Sequence, residues 1–173
     1  MPRSEARFNS RSEAETIDIG CAIGHVIQTG DVVLLRGELG AGKTRLVEGM
    51  TQGIGAPGET RSPTFVLVNE YEGRVKLAHC DLYRLGGPED TGELGLEDYL
   101  TDSAVAVEWA ERAPGLFPRD ALSVGLEFGE CVDERTITFA AGGERSERLL
   151  HEFRSALGAD TGSGHADEGE ARK

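Results

Sequence analysis

The chain has 173 residues, 38% of them hydrophobic and 28% charged, and a formal net charge of −13, which describes a soluble globular protein able to bury one sizeable core. Its longest apolar runs fall far short of a membrane span, and a chain this acidic repels nucleic acid over most of its surface, so no membrane helix is expected and any nucleic acid it serves is expected to be held by another subunit. Cys21, Cys80 and Cys131 are odd in number and widely spaced, so free thiols are expected rather than a disulfide framework or a zinc site; with no apolar leader core at the N-terminus, the expected compartment is the cytoplasm.

In chain order, Ser12-Glu13-Ala14-Glu15 reads as a capping box opening a helix to about Thr29, with Gly30 in place to end it. Val32-Val33-Leu34-Leu35 is a short apolar run of the kind a buried parallel strand requires. Gly37-Glu38-Leu39-Gly40-Ala41-Gly42-Lys43-Thr44 follows, a G-x-x-x-x-G-K-[ST] loop, and Arg45 to Gln52 continues as an amphipathic helix. The physics requires that order. Glycines let the backbone curl so that its N–H groups point at phosphate oxygens, and the helix N-terminus adds positive potential. Lys43 is expected to reach the β- and γ-phosphates and the Thr44 hydroxyl to ligate Mg²⁺. The chain is therefore read as binding a nucleoside triphosphate.

The second helix is expected to end in the Gly-rich turn from Gly53 to Gly58. Ser62-Pro63-Thr64-Phe65 then stands where nucleotide-switch proteins carry a mobile loop; its hydroxyls reach for the γ-phosphate, or the segment is a strand-entry turn. Two β-rich runs, Phe65 to Tyr71 and Val75 to Asp81, flank Glu72-Gly73-Arg74 and predict an antiparallel hairpin. The stretch from Pro88 to Asp102 is acidic, with short helices around Leu94, Leu96, Tyr99 and Leu100. Ala104 to Val107 predicts a strand, as do Leu122 to Phe128 and Thr136 to Ala140, and Glu147 to Leu157 a closing helix. One domain over residues 1–157 is expected, followed by a disordered acidic tail over 158–173, whose composition offers no large apolar residue to offset its ordering entropy.

A phosphate loop needs an acidic partner for its metal at the end of a neighbouring strand. Asp81 and Glu108 both end apolar runs, and each is either a metal and water-positioning acid or the mark of a strand leaving the core. Alternation puts His79 on the face of Asp81, near the site or bonded to backbone as a structural histidine. Trp109 follows Glu108 directly and either packs on the loop, faces a partner or belongs to the core. Three functional classes fit the loop: an ATPase working as a subunit, a small-molecule kinase, and a nucleotide switch with little turnover.

The set Gly37 to Thr44, Ser62-Pro-Thr-Phe65, His79-Cys-Asp-Leu-Tyr-Arg-Leu85 and Val107-Glu-Trp109, in this order and spacing, resembles the TsaE family, formerly YjeE. The likeness runs from roughly Thr16 to Leu157. It implies a three-layer P-loop α/β fold with a mixed, mostly parallel central sheet containing an antiparallel hairpin. It also implies MgATP binding and weak ATP hydrolysis stimulated by the partners TsaD and TsaB, in the making of threonylcarbamoyladenosine in tRNA, the tRNA being reached only through those partners. By the same resemblance Lys43 and Thr44 are phosphate and Mg²⁺ ligands, Glu108 is a metal-site acid and Asp81 a catalytic-site acid. Ser62 and Thr64 fall on the switch loop, Thr16 lies close to the nucleotide, and Trp109, Arg112 and Arg135 are nucleotide-side residues. Cys80, where the family more often has a bulky aromatic, and Arg45, where it often has Thr, are departures that remove no ligand.

Overall fold

The computed structural model describes residues 4–60, 68–85 and 95–161, with side chains to residue 158. Ser62, Thr64 and the hairpin residues before Val68 lie outside them, as do the first part of the acidic stretch and residues 162–173. Helix α1 (Glu13–Val26) starts as the capping box predicts, with the Ser12 hydroxyl accepting from the Glu15 N–H at 3.1 Å. It ends three residues before the expected Thr29. Ile27 is already extended, although its N–H still closes on the Ile23 carbonyl at 2.9 Å, and Gly30, at φ 90°, belongs to the turn that follows.

Strand β2 (Val32–Arg36) leads into the phosphate loop and helix α2 (Lys43–Gly53) leaves it. The expected hairpin is β3 (Val68–Glu72) against β4 (Lys76–Asp81), antiparallel with Val68 opposite Cys80. Helix α3 (Leu96–Asp102) is the described part of the acidic stretch and precedes β5 (Ala104–Glu108). A 3-10 turn over Ala110–Arg112, then β6 (Leu122–Phe128), β7 (Arg135–Ala141) and helix α4 (Glu144–Thr161) complete the chain.

Helix α4 begins earlier than its apolar pattern suggests because its cap comes from elsewhere. Asp120, before β6, accepts from the N–H groups of Arg145 and Ser146 at 2.9 Å each, while the Ser146 hydroxyl accepts from Gly142 and Gly143. The helix also runs four residues past Leu157, into the segment read as tail. The sequence reading missed one element, β1 before α1. This edge strand (Glu5–Ser10) carries only Ala6 and Phe8 as apolar residues and pairs antiparallel with β7. Phe8 is held by its neighbours, with ring centroids 5.7 Å from Phe139 and 5.4 Å from Phe153.

Together the strands make one mixed sheet in the order β1-β7-β6-β2-β5-β4-β3, with a parallel centre (β6-β2-β5-β4) and antiparallel pairs on both flanks. Alternation along β2 sends Val33 and Leu35 to one face and Val32 and Leu34 to the other. The first face is covered by α1, α2 and α4, and the second by α3 and the segment after β5, giving three layers. Helices α1 and α2 meet backbone to backbone. A Cβ on Gly49 would stand 2.0 Å from the Ile17 carbonyl oxygen, and one on Gly20 would stand 2.1 Å from that of Leu46. No described helix is long and apolar enough to cross a membrane.

Candidate functional site

The parallel centre fixes where the site forms. Strands β2, β4 and β5 end together, and Asp81 and Glu108 stand opposite each other in the β4–β5 register, with Leu35 opposite Glu108 across β2. The loop closes over those ends. Gly40 at φ 81° and Gly42 at φ 105° hold conformations that a side chain disfavours, and Gly42 caps α2 so that the helix dipole points into the loop.

Above the strand ends lies a cavity of about 620 Å³. Of the residues singled out from sequence, Thr16, Leu39, Gly40, Ala41, Gly42, Lys43, Thr44, Asp81, Glu108, Trp109 and Arg135 all line it. Gly37 and Glu38 do not, but their carbonyls accept from Lys43 Nζ at 2.6 and 3.0 Å. Arg112 also stands off the wall, with its guanidinium 5.5 Å from the centroid of Tyr83 and 5.9 Å from that of Trp109. The Thr16 hydroxyl is engaged with Ser10 Oγ at 2.7 Å, so in this arrangement it braces α1 against β1 while its side chain faces the cavity.

Arg135 is tied to the loop itself. Its Nε donates to the Ala41 carbonyl at 3.0 Å and a terminal nitrogen to the Gly40 carbonyl at 3.4 Å, with the guanidinium 4.6 Å from the Phe128 centroid. Glu13, Tyr83, Arg84, Arg45 and Asp133 line the cavity as well and carried no sequence expectation as site residues. Tyr83 and Arg84 follow Asp81 within a segment that had been noted, so proximity was the available signal. Glu13 and Asp133 gave none.

The acids are held differently. Asp81 is half-buried and its Oδ1 accepts from the Tyr83 N–H at 2.9 Å. Glu108 is 2% exposed and is bonded at both oxygens, with Oε1 accepting from the Thr44 hydroxyl at 2.8 Å and Oε2 lying 3.2 Å from His79 Nε2. Burial works to raise its carboxyl, but the His79 contact, the Thr44 hydroxyl and the Lys43 charge together hold it below the usual range. Burial draws the Lys43 ammonium down from its ordinary value, against the opposing pull of Glu108, Glu111 and Asp81. Cys80 faces the other side of the sheet, and burial, reinforced by Asp81 and Glu108, pushes its thiol up to about 12. It is inert as a nucleophile.

The donors suit a hard divalent cation. Thr44 and Glu108 offer a hydroxyl and a carboxylate side by side, with Asp81 next in the register. Among the described residues no three His, Cys, Asp or Glu side chains form a self-contained metal cluster. A cation here would complete its shell with oxygens from another source, as a triphosphate supplies. The site thus combines a glycine-rich loop at a helix N-terminus, a buried lysine ammonium and a hydroxyl–carboxylate pair at the mouth of parallel strands.

Comparison with known proteins shows the family. A family model described as threonylcarbamoyl adenosine biosynthesis protein TsaE matches residues 10–137. The chain is 40% identical over 124 residues to the tRNA threonylcarbamoyladenosine biosynthesis protein TsaE of Haemophilus influenzae, covering 70% of this chain and 77% of the relative. It is 35% identical over 152 residues to the protein of that name from Bacillus subtilis, covering 86% and 94%. The crystal structure of Bacillus subtilis YdiB superposes with a TM-score of 0.78 at 30% identity, covering 90% of this chain and 97% of that one. With the family model matched over residues 10–137 and relatives 35–40% identical covered over most of their length, the chain belongs to the TsaE family.

Proposed function

We propose that this chain is a magnesium-dependent ATP-binding and ATP-hydrolysing subunit required for threonylcarbamoyladenosine modification of tRNA, working in the cytoplasm through TsaD and TsaB. The observation that carries the reading is the 2.8 Å contact between Thr44 Oγ1, in the first turn after the loop, and Glu108 Oε1 at the end of β5. It joins a loop hydroxyl to a strand-end carboxylate at the point where a phosphate-bound cation belongs.

In this reading the loop N–H groups and Lys43 bind the phosphate chain, Thr44 and Glu108 hold Mg²⁺, and Asp81 orients the attacking water. Bound Mg²⁺ neutralises charge on the transferring phosphoryl group. Lys43 leaves the carbonyls of Gly37 and Glu38 to reach phosphate, and Arg135 keeps the outer loop in shape through the Ala41 carbonyl. The formal charge of −13 supports a division of labour in which partners, not this chain, hold the tRNA.

The test is phosphate release from ATP with Mg²⁺, by the chain alone and then with TsaD and TsaB. Low basal release that rises with both partners is the expected result. ATP-dependent labelling of a small acceptor, or no release under any of these conditions, sinks the proposal.

A further inference from the structure

We propose that His79 is a positioning residue for Glu108, donating one hydrogen bond that aims the carboxylate at Thr44 and the metal position. The inference rests on the nucleotide-binding reading above. It starts from the register of β4 and β5. His79 stands opposite Ala106 and Asp81 opposite Glu108, so His79 and Glu108 are diagonal neighbours on one face. The small Ala106 side chain leaves room for the imidazole to lean along the sheet, and its Nε2 reaches Glu108 Oε2 at 3.2 Å. An ionised carboxylate has no proton to give, so Nε2 carries the hydrogen.

His79 is fully buried, and its Nδ1 has no hydrogen-bond partner among the described residues. A histidine kept for packing alone satisfies both nitrogens, because a buried unpaired polar atom is disfavoured, and an apolar side chain fills such a space with no orphan at all. Here the polar content of the ring is spent on Glu108. That one bond fixes Oε2, and with Oε2 fixed the remaining oxygen faces the Thr44 hydroxyl at 2.8 Å. Without it, the carboxylate is free to rotate toward Lys43, whose charge it already feels. A partner of this kind behind a metal-site acid is worth roughly 10–100-fold in metal affinity or activity.

The test compares wild-type protein, His79→Gln and His79→Met in calorimetric titrations with ATP, each with and without Mg²⁺. Glutamine places an amide N–H where the imidazole Nε2 stands, whereas methionine has a similar volume and no donor. All three are expected to bind metal-free ATP with comparable affinity. Magnesium tightens binding to wild type and His79→Gln, and His79→Met loses roughly 10–100-fold of that tightening. A methionine variant with wild-type magnesium dependence overturns the positioning role, as does a glutamine variant no better than methionine. Should His79→Met not fold, imidazole nitrogen NMR of the wild-type chain decides. A protonated Nε2 whose proton shifts on adding MgATP is expected, and a bare or unmoved Nε2 overturns the inference. Failure of the underlying reading looks different, since wild type then binds no ATP at all, and both statements fall together.

Discussion

The Lys43 ammonium lies 4.2 Å from the centroid of the Trp109 ring while donating to the Gly37 and Glu38 carbonyls. Trp109 holds φ 59°, which no other non-glycine among the described residues does at positive φ, and that backbone costs roughly 1–2 kcal/mol. The strained turn presents the indole face to the loop lysine, so Trp109 reports on where Lys43 is. Because it is the single tryptophan, its emission is expected to change when ATP draws Lys43 toward phosphate. Unchanged emission at saturating ATP would show that Lys43 stays on the ring.

Removing the lysine tests the loop directly. Lys43→Ala is expected to weaken ATP binding by about 10–100-fold, the worth of a charge-assisted contact. Glu108→Gln should instead keep affinity for metal-free ATP, lose the magnesium-dependent tightening, and lower partner-stimulated turnover by roughly 10²-fold or more, because it removes charge from where phosphoryl transfer needs it. Calorimetry and phosphate release separate the two effects. Equal losses of metal-free ATP affinity in both variants would contradict the division of roles between Lys43 and Glu108.

Much of this site was written in the local sequence, and the part that was not has a common physical cause. The loop spacing, the apolar run of β2 and the short strand before Glu108 are contiguous patterns, so Lys43, Thr44 and Glu108 were visible before any fold. The β3–β4 hairpin was equally visible from two β-rich runs around Gly73. The pairing of His79 with Glu108, 29 positions apart, depends on the parallel register of two strands, which periodicity along one strand does not encode. Strand β1 escaped because an edge strand with two apolar residues carries almost no alternation, its place being set by β7 and by Phe139 and Phe153. The early start of α4 depends on Asp120, 24 residues upstream of Glu144 and so outside any local capping pattern.

That distant cap has a pH signature. Partial burial disfavours the Asp120 charge, but the Ser146 N–H and hydroxyl and the Arg145 N–H outweigh it and hold the carboxyl below the ordinary range. A carboxylate with a depressed folded pKa contributes stability above its unfolded value of about 3.9, lost as pH falls through the folded value. Asp120→Ala is therefore expected to cost about 1 kcal/mol near neutral pH. The gap to wild type should shrink below about pH 4. Denaturant melts at neutral and acid pH measure it, and a gap independent of pH would remove the charge from the explanation.

The α1–α2 contact predicts a large cost for one methyl group. In Gly49→Ala the new carbon would lie 2.0 Å from the Ile17 oxygen, which is backbone and has no rotamer to yield. A loss of about 2–3 kcal/mol, seen as a lower denaturation midpoint, is expected for such overpacking. Alanine at Gly40, which meets nothing within 4 Å but sits at φ 81°, should cost less in contacts and act through the loop backbone alone. Similar losses from both substitutions would mean that the helices separate more easily than their geometry implies.

Because α1 and α2 interlock at their backbones and are joined through β2, residues 13–53 contain a local α-β-α unit that can assemble before distant strands arrive. The phosphate cradle belongs to that early unit. Glu108 does not, since it joins Thr44 at a sequence separation of 64 and only once β5 has docked beside β2. Folding is therefore expected to form the loop first and the Thr44–Glu108 contact last. Truncating Val47 should slow folding, with a φ-value of about 0.5–0.8, whereas truncating Val107 should mainly speed unfolding, with a value nearer 0–0.3. If the two values prove equal, the site forms in one step; if they separate, the loop takes shape before the Thr44–Glu108 contact that the proposed cation position needs.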